Sequence, residues 1–244
     1  MTDIYIYGHH SCIEALRLGN CLLIYLPKEG RNQTHQQVER VANAHKIPIR
    51  YVPKEGFKKF TKENHQYVVA LISPIEFTDL SNFIDEHSKE KEPMVVALLD
   101  GVTDVGNLGN IIRTAEFLGV NLLVVPKTGS ARLTEKVIRA SSGAAFSLNI
   151  AQVDHIKDAI YLLKSYDFCI YGASEKKSTS LIEAKFNRLT AVILGDESKG
   201  IKPSILGLCD QIIGIPKFGK IDSLNVSSAS AILFFEIIRQ HQNA

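Results

Sequence analysis

The stretch DGVTDVGNLGNIIRTAEFLGV, residues 100–120, follows an apolar run at 95–99. It carries three glycines, Gly101, Gly106 and Gly109, ahead of a helix-like segment at 110–118. An apolar run of strand length, a glycine-bearing turn and a helical pattern make one repeat of an alternating α/β chain. The turn is either a tight strand-to-helix connection or a place where backbone comes close to a ligand, since glycine permits both. Spacing argues against two familiar ligands. A dinucleotide turn reads G-x-G-x-x-G, whereas this one reads G-x-x-x-x-G-x-x-G, and no Lys-Ser/Thr pair follows as in a P-loop. The next apolar run ends in LLVVPK, with no acidic residue to hold a ribose hydroxyl, which counts against a nicotinamide-dependent oxidoreductase.

Outward from this stretch, residues 94–244 keep alternating. Strand patterns are VVALLD, NLLVVP, FCIYGA, LTAVILG and QIIGIP, with helical patterns at 110–118, 134–142 and 155–166. Near-continuous apolar strands suit a parallel sheet covered on both faces. In such a sheet a ligand sits beyond the carboxyl ends of the strands. The segments found there, GVTDVGNLGN, SEKKSTS, GDESKGIKPS and KFGKIDSLNVSSAS, are small or polar and are expected to converge on one edge.

Residues 1–75 alternate as well. Strands are read at Cys21–Pro27, 47–53 and 67–74, each ended by proline. One helix, HHSCIEALRLG, is closed by Gly19, and another, THQQVERVANAHK, is begun by Thr34. Between the halves lies EFTDLSNFIDEHSKEKEP, charged and ending in proline. The expected division is a first domain at 1–75, a linker with one short helix at 76–93, and a second domain at 94–244.

Composition narrows the function classes. With 45% apolar and 22% charged residues among 244, the chain reads as a soluble globular protein. No apolar run approaches the ~18 to 20 residues of a membrane span, and the start does not read as a signal peptide. Cys12, Cys21, Cys169 and Cys209 have no C-x-x-C spacing, which fits a reducing cytoplasm and suggests neither a disulfide framework nor a zinc site. His9, His10 and His65 lack partners at metal-ligand spacing, so no metal is expected and a solvated or RNA-contacting role fits better. A net charge of +2 permits a nucleic-acid partner only through a local basic surface. Lys127, Arg132, Lys136 and Arg139 are either such a surface or an ordinary solvated helix face.

Three separated segments together resemble the SpoU (TrmH-type) branch of the SPOUT methyltransferases. NLGNIIRTAEFLGV is similar to the family's N-x-G-x-x-x-R-x-A-x-x-x-G. VILGDESKGI is similar to its L-G-x-E-x-x-G. IPKFGKIDSLNVSSASAILFFEIIR is similar to its I-P-x-x-G-x-x-x-S-L-N-V-x-x-A followed by E-x-x-R. RASSGAAF, residues 139–146, also matches a family segment. IYGHHSCIEAL and KENHQYVVA look like the small RNA-binding domain, similar to ribosomal protein L30e, of the rRNA guanosine 2′-O-methyltransferases. Departures are Asn110, Asp196 and Ser198, which flank the motifs.

The resemblance implies an α/β, trefoil-knotted catalytic domain that moves a methyl group from S-adenosylmethionine to a ribose 2′-hydroxyl of RNA. The implied target is a guanosine of large-subunit rRNA; a tRNA target, or a catalytically silent ribosome-assembly factor, are the alternatives. By motif position Gly195, Ile215 and Leu224 line the cofactor pocket, with Leu194 and Gly172 beside them. Asn107, Arg113, Glu197, Ser223 and Asn225 fall on the acceptor side. A guanidinium stays protonated in proteins, so Arg113 is read as an electrostatic partner of a developing alkoxide and a holder of phosphate, not as a base. Glu197 is read as orienting Asn107 or Arg113, because a carboxylate beside a sulfonium stabilises the reactant and not the transition state. Ser223 and Asn225 begin the last helix, where capping and substrate positioning are compatible. That helix is apolar on most sides from Ile232 to Ile238, and the resemblance implies a homodimer formed through it and the knot.

Overall fold

The structure, a computed structural model, describes residues 4–61, 64–175, 178–221 and 223–243. The first part contains β1 (Ile4–Tyr7), α1 (His9–Arg17), β2 (Cys21–Pro27), α2 (Gln33–Ala44), β3 (Ile49–Val52) and β4 (Val69–Ile72). Then come α3 (Leu80–His87), β5 (Met94–Asp100), α4 (Val105–Leu118), β6 (Leu122–Pro126), α5 (Glu135–Ala140), β7 (Ile150–Val153) and α6 (Ile156–Ser165). The chain closes with β8 (Cys169–Ala173), β9 (Thr179–Ser180), β10 (Leu189–Gly195), α7 (Pro203–Leu206), β11 (Gln211–Gly214) and α8 (Val226–His241). These elements sort into two compact units. One is Met1–Glu76 with Leu133–Ser147, and the other is Phe77–Arg132 with Leu148–Ala244.

The first unit holds a four-stranded sheet in the order β1-β4-β2-β3. β4 runs antiparallel to both of its neighbours, and β3 runs parallel to β2. α1 buries Cys12, Ile13, Ala15 and Leu16 and is closed by Gly19 at φ 74°. α2 is capped by Asn32, not begun by Thr34. The Asn32 side chain accepts from the His35 N–H at 3.0 Å, and His35 Nδ1 accepts from the Asn32 N–H at 3.1 Å. This reciprocal pair satisfies two orphan donors and places Thr34 inside the first turn.

α5 and the turn after it complete this unit, although they follow β6 in the chain. Val137 and Ile138 of α5 are buried, and the Arg139 guanidinium lies 4.6 Å from the centre of the Tyr7 ring. Gly143 has φ 89°, and a Cβ there would stand 2.6 Å from Cβ of Glu14. Periodicity shows that a helix buries one face; it does not show against which sheet.

The second unit is built on seven strands in the order β7-β6-β5-β10-β8-β11-β9, and every neighbouring pair is parallel. β5 is buried along its whole length and pairs with β10 from Met94↔Leu189 to Asp100↔Gly195. One cluster packs Val96, Leu98 and Ile170 with Ile156, Ile160 and Leu163 of α6. Phe83 and Ile84 of α3 belong to the same cluster, so the stretch read as a linker supplies core to this unit. α4 buries Leu108, Ile111, Ile112 and Ala115, and α8 packs on α4 while burying Leu233, Phe234 and Ile237. No helix among the described residues is long and apolar enough to cross a membrane.

Candidate active site

α4 begins at Val105, earlier than the sequence suggested. Asp104 caps it, its carboxylate accepting from the Asn107 N–H at 2.7 Å. Of the three glycines ahead of the predicted helix, Gly106 and Gly109 are therefore helical, and Gly101 alone of the three takes a positive φ, at 90°. Each interior glycine costs a helix about 1 kcal/mol. The cap returns about 1 kcal/mol, and burial of Leu108 in the added turn contributes about 1.5 to 3 kcal/mol, so the longer helix wins. Arg113 consequently lies more than two turns into α4.

The early start puts Asn107 in the first turn, and its side chain becomes the centre of a polar node. Its Nδ2 donates to Oε1 of Glu197, in the loop after β10. Its Oδ1 accepts from Nδ2 of Asn225 at 3.0 Å. Asn225 is the cap of α8, its Oδ1 accepting from the Ser227 N–H at 2.9 Å and the Ser227 hydroxyl at 2.6 Å. Three expected acceptor-side residues thus meet where the loop after β10 reaches two helix N-termini, a setting favourable to the Glu197 carboxylate. Arg113 is exposed on α4, six residues and roughly 9 Å of helix axis beyond Asn107. Ser223 is exposed two residues before the α8 cap.

The loop carrying Glu197 is internally braced. The Asp196 carboxylate accepts from the Ser198 and Lys199 N–H groups, each at 2.9 Å, and from the Ser198 hydroxyl at 2.6 Å. These bonds hold the Asp196 carboxyl below the usual carboxylate range. Asp196 and Gly200 exchange backbone hydrogen bonds at 3.2 and 2.8 Å. A Cβ on Gly195 would run into the backbone of Gly200 and Ile201, so only glycine fits this crossing. Asp196 and Ser198, departures from the family pattern, are the braces of this turn.

A cavity of about 460 Å³ opens beside β9 and β11, lined by Glu175, Ser178, Ser180, Gly214, Ile215, Pro216 and Lys217. This volume suits a small molecule. A Cβ on Gly214 would crowd the Ser178 hydroxyl and stand 3.0 Å from the Ser174 carbonyl, so main chain forms part of the wall. Of the residues expected on the cofactor side, Ile215 lines the cavity. Leu194 is buried at the end of β10, and Leu224 is 48% exposed. Gly172 is packed inside: a Cβ there would stand 2.9 Å from Cys209 Sγ and 3.0 Å from Ile212 Cδ1. Glu175, Ser178, Ser180 and Lys217 had no individual signal in the sequence, because polar loop residues look alike. Only their place after apolar strands pointed to them. Lys176, Lys177 and Asp222 of the same segments lie outside the described residues.

The remaining candidates divide. Lys127 pairs with Asp154 at 2.9 Å, as an ordinary surface ion pair does, and Arg139 covers Tyr7. His65 stacks on Phe57 with ring centres 5.3 Å apart. Among the described residues, no group of three or more His, Cys, Asp or Glu side chains is arranged to hold a metal ion.

Comparison with known proteins matches residues 94–235 to the SpoU rRNA Methylase family and residues 5–78 to a domain described as RNA 2′-O ribose methyltransferase substrate binding. A Staphylococcus aureus protein assigned to the TrmH family of tRNA/rRNA methyltransferases is 31% identical over 244 residues, covering 100% of this chain and 98% of its own length. The SpoU methyltransferase AviRb from Streptomyces viridochromogenes, solved in complex with the cofactor AdoMet, superposes with a TM-score of 0.80 at 22% identity, over 99% of this chain and 92% of its own. An AdoMet-bound rRNA methyltransferase from Sinorhizobium meliloti gives a TM-score of 0.78 at 24% identity, over 97% and 87%.

Proposed function

This chain belongs to the SpoU rRNA Methylase family and is an RNA methyltransferase that uses S-adenosylmethionine, and we propose that the atom it methylates is a ribose 2′-hydroxyl, in a guanosine of large-subunit rRNA. The observation that carries this reading is the hydrogen-bonded node of Asn107, Glu197 and Asn225, one residue from each of the three motif segments. When bound, S-adenosylmethionine would supply an electrophilic methyl carbon on a sulfonium to the 2′ oxygen.

The residues around the cavity fit such a cofactor. Main chain at Gly214 and Ile215 offers polar groups at close approach, Pro216 and Ile215 offer apolar surface, and Ser178, Ser180 and Glu175 offer hydrogen-bonding groups. We assign Gly195 to the wall nearest the acceptor, with Leu194, Gly172 and Leu224 supporting it. Glu197 holds the Asn107 amide, and Asn107 and Asn225 orient the ribose, with Ser223 beside them. Arg113, exposed on α4, takes the phosphate next to that ribose on its place in the motif. Its fixed charge lowers the free energy of the developing alkoxide, while the hydroxyl proton leaves to water.

The choice of rRNA rests on the resemblance of IYGHHSCIEAL and KENHQYVVA to the first domain of rRNA guanosine enzymes, and the domain at 5–78 supports an RNA substrate. The same reading gives the second unit the family's trefoil knot and the first unit an L30e-like role. It also gives a homodimer. Ile232 and Phe235 on α8 are 40% and 57% exposed, and Phe117 on α4 is 83% exposed, leaving apolar surface for a second copy to cover. Mapping 2′-O-methyl sites in total RNA with and without the gene tests the target. Loss of one rRNA guanosine methylation is the expected result, and loss of a tRNA methylation would reassign the substrate.

A further inference from the structure

Asp100 closes β5 with a side chain only 1% exposed, and both of its oxygens accept from a single residue. Oδ2 takes the Lys202 backbone N–H at 2.9 Å, and Oδ1 takes the Lys202 ammonium at 2.6 Å. Asp100 is also the register partner of Gly195 across the β5–β10 pair. Gly195 is where the Glu197 loop leaves the sheet, and Lys202 is where the loop has just returned. Asp100 therefore meets both ends of the loop, its backbone pairing with Gly195 across the strands and its carboxylate holding Lys202. Gly101 follows at φ 90°, a backbone conformation that favours glycine as the chain leaves β5. A buried carboxylate is retained only where its hydrogen bonds are made, so the clamp fixes where Lys202 must sit. Neither bond involves Glu197, Asn107 or Asn225.

We propose that Asp100 is a positioning residue that sets the placement of Glu197 against Asn107 by clamping the loop 196–201 through Lys202. The proposal rests on the reading of Glu197 and Asn107 as acceptor-side machinery. Asp100→Asn keeps size and shape but exchanges one acceptor for a donor, so it cannot serve both Lys202 donors. Lys202→Met removes the ammonium and leaves the backbone N–H in place.

The test uses the full chain with D100N, K202M, E197Q and the double variant D100N/E197Q. Single-turnover methylation of an in-vitro transcribed large-subunit rRNA is measured at saturating S-adenosylmethionine, together with hydrogen exchange of the amides at 197–201 without cofactor or RNA. D100N is expected to slow turnover by about 10 to 10², the scale of a misplacement near 1 Å. Exchange at 197–201 should quicken while the β5 and β10 amides stay protected. K202M should do the same to a smaller degree, and it carries the test should D100N fail to fold. Because Asp100 acts through Glu197, D100N/E197Q should be no slower than E197Q alone. Multiplying losses in the double variant, or unchanged exchange in both single variants, overturns the proposal. Full turnover in D100N beside an impaired E197Q overturns it alone. Full turnover in E197Q overturns the underlying reading of Glu197, and the proposal with it.

Discussion

Asn225 and Asn107 lie 118 positions apart in the chain, and the side-chain amide of the first donates to the side-chain carbonyl of the second at 3.0 Å. The polarity of this contact is dictated by α8. Asn225 must turn its oxygen toward the Ser227 N–H to cap the helix, so only its amide remains to face Asn107. Asn107 must then present its oxygen to Asn225 and its amide to Glu197. A helix cap thus fixes the direction of every hydrogen bond in the node.

Asn225→Asp separates the two duties of that residue. Aspartate caps a helix as well as asparagine does, so the thermal midpoint should stay near that of the parent. The amide donor is lost, however, and a carboxylate meets the Asn107 carbonyl close to Glu197. Turnover should fall by at least about tenfold, the scale of one misdirected charged contact. Calorimetric unfolding and single-turnover methylation report the two effects separately. A parent-like rate would show that the node is only a cap.

Arg113→Ala should leave cofactor affinity nearly intact and slow methyl transfer by about 10² to 10³, the effect of removing one preorganised donor. Arg113→Lys should recover little, because a single ammonium does not reproduce a two-pronged contact to ribose and phosphate. Full activity in the lysine variant would show that charge alone suffices. A large loss of cofactor binding in the alanine variant would move Arg113 to the cofactor side.

The extent of the second unit can be tested by truncation. A chain beginning at Phe77 keeps α3, whereas one beginning at Met94 strips Phe83 and Ile84 from the core. Burying two side chains of this size contributes about 3 to 6 kcal/mol. The longer fragment should therefore unfold at the higher temperature and bind S-adenosylmethionine, while methylating RNA poorly without residues before 77. Equal midpoints for the two fragments would place α3 outside the folding unit, and full activity of the longer one on rRNA would remove the RNA role from the first.

Glu236 makes stability depend on acid in a stated window. Hydrogen bonds from Arg239, then from Gln240, hold its carboxyl down to about 2 from an ordinary 4.5. A depressed carboxyl contributes stability that is complete above its ordinary value and fades as pH falls toward the folded one. The difference in thermal midpoint between the parent and Glu236→Gln should be constant above pH 4.5 and shrink below it. A difference that does not change with acid would mean that the Arg239 pairing contributes nothing to folding.

Much of this was legible in the sequence. The long apolar strands β5, β6, β8 and β10 announced a parallel sheet, and their trailing segments announced its working edge. β9 has only two residues to carry a pattern, and β1 and β7 lack the closing proline that marks β2, β3 and β4 in the sequence. The start of α4 was missed because glycines look like a turn until the capping Asp104 and the buried face beyond it are weighed. The partner of α5 could not be read, since a buried stripe does not name what it packs on. The motifs supplied Asn107, Glu197 and Asn225 individually. Their meeting, and the buried Asp100 that fastens the loop, needed coordinates, because both link residues about 90 to 118 positions apart.

The most direct test of the account is the chemical identity of the product. The full chain, an in-vitro transcribed large-subunit rRNA and S-adenosylmethionine carrying a deuterated methyl group would be incubated together, and the RNA digested to nucleosides for mass spectrometry. Deuterium is expected in 2′-O-methylguanosine alone, abolished together with turnover in Asn107→Ala. Label on a base, or a 2′-O-methyl yield unchanged in Asn107→Ala, would contradict it.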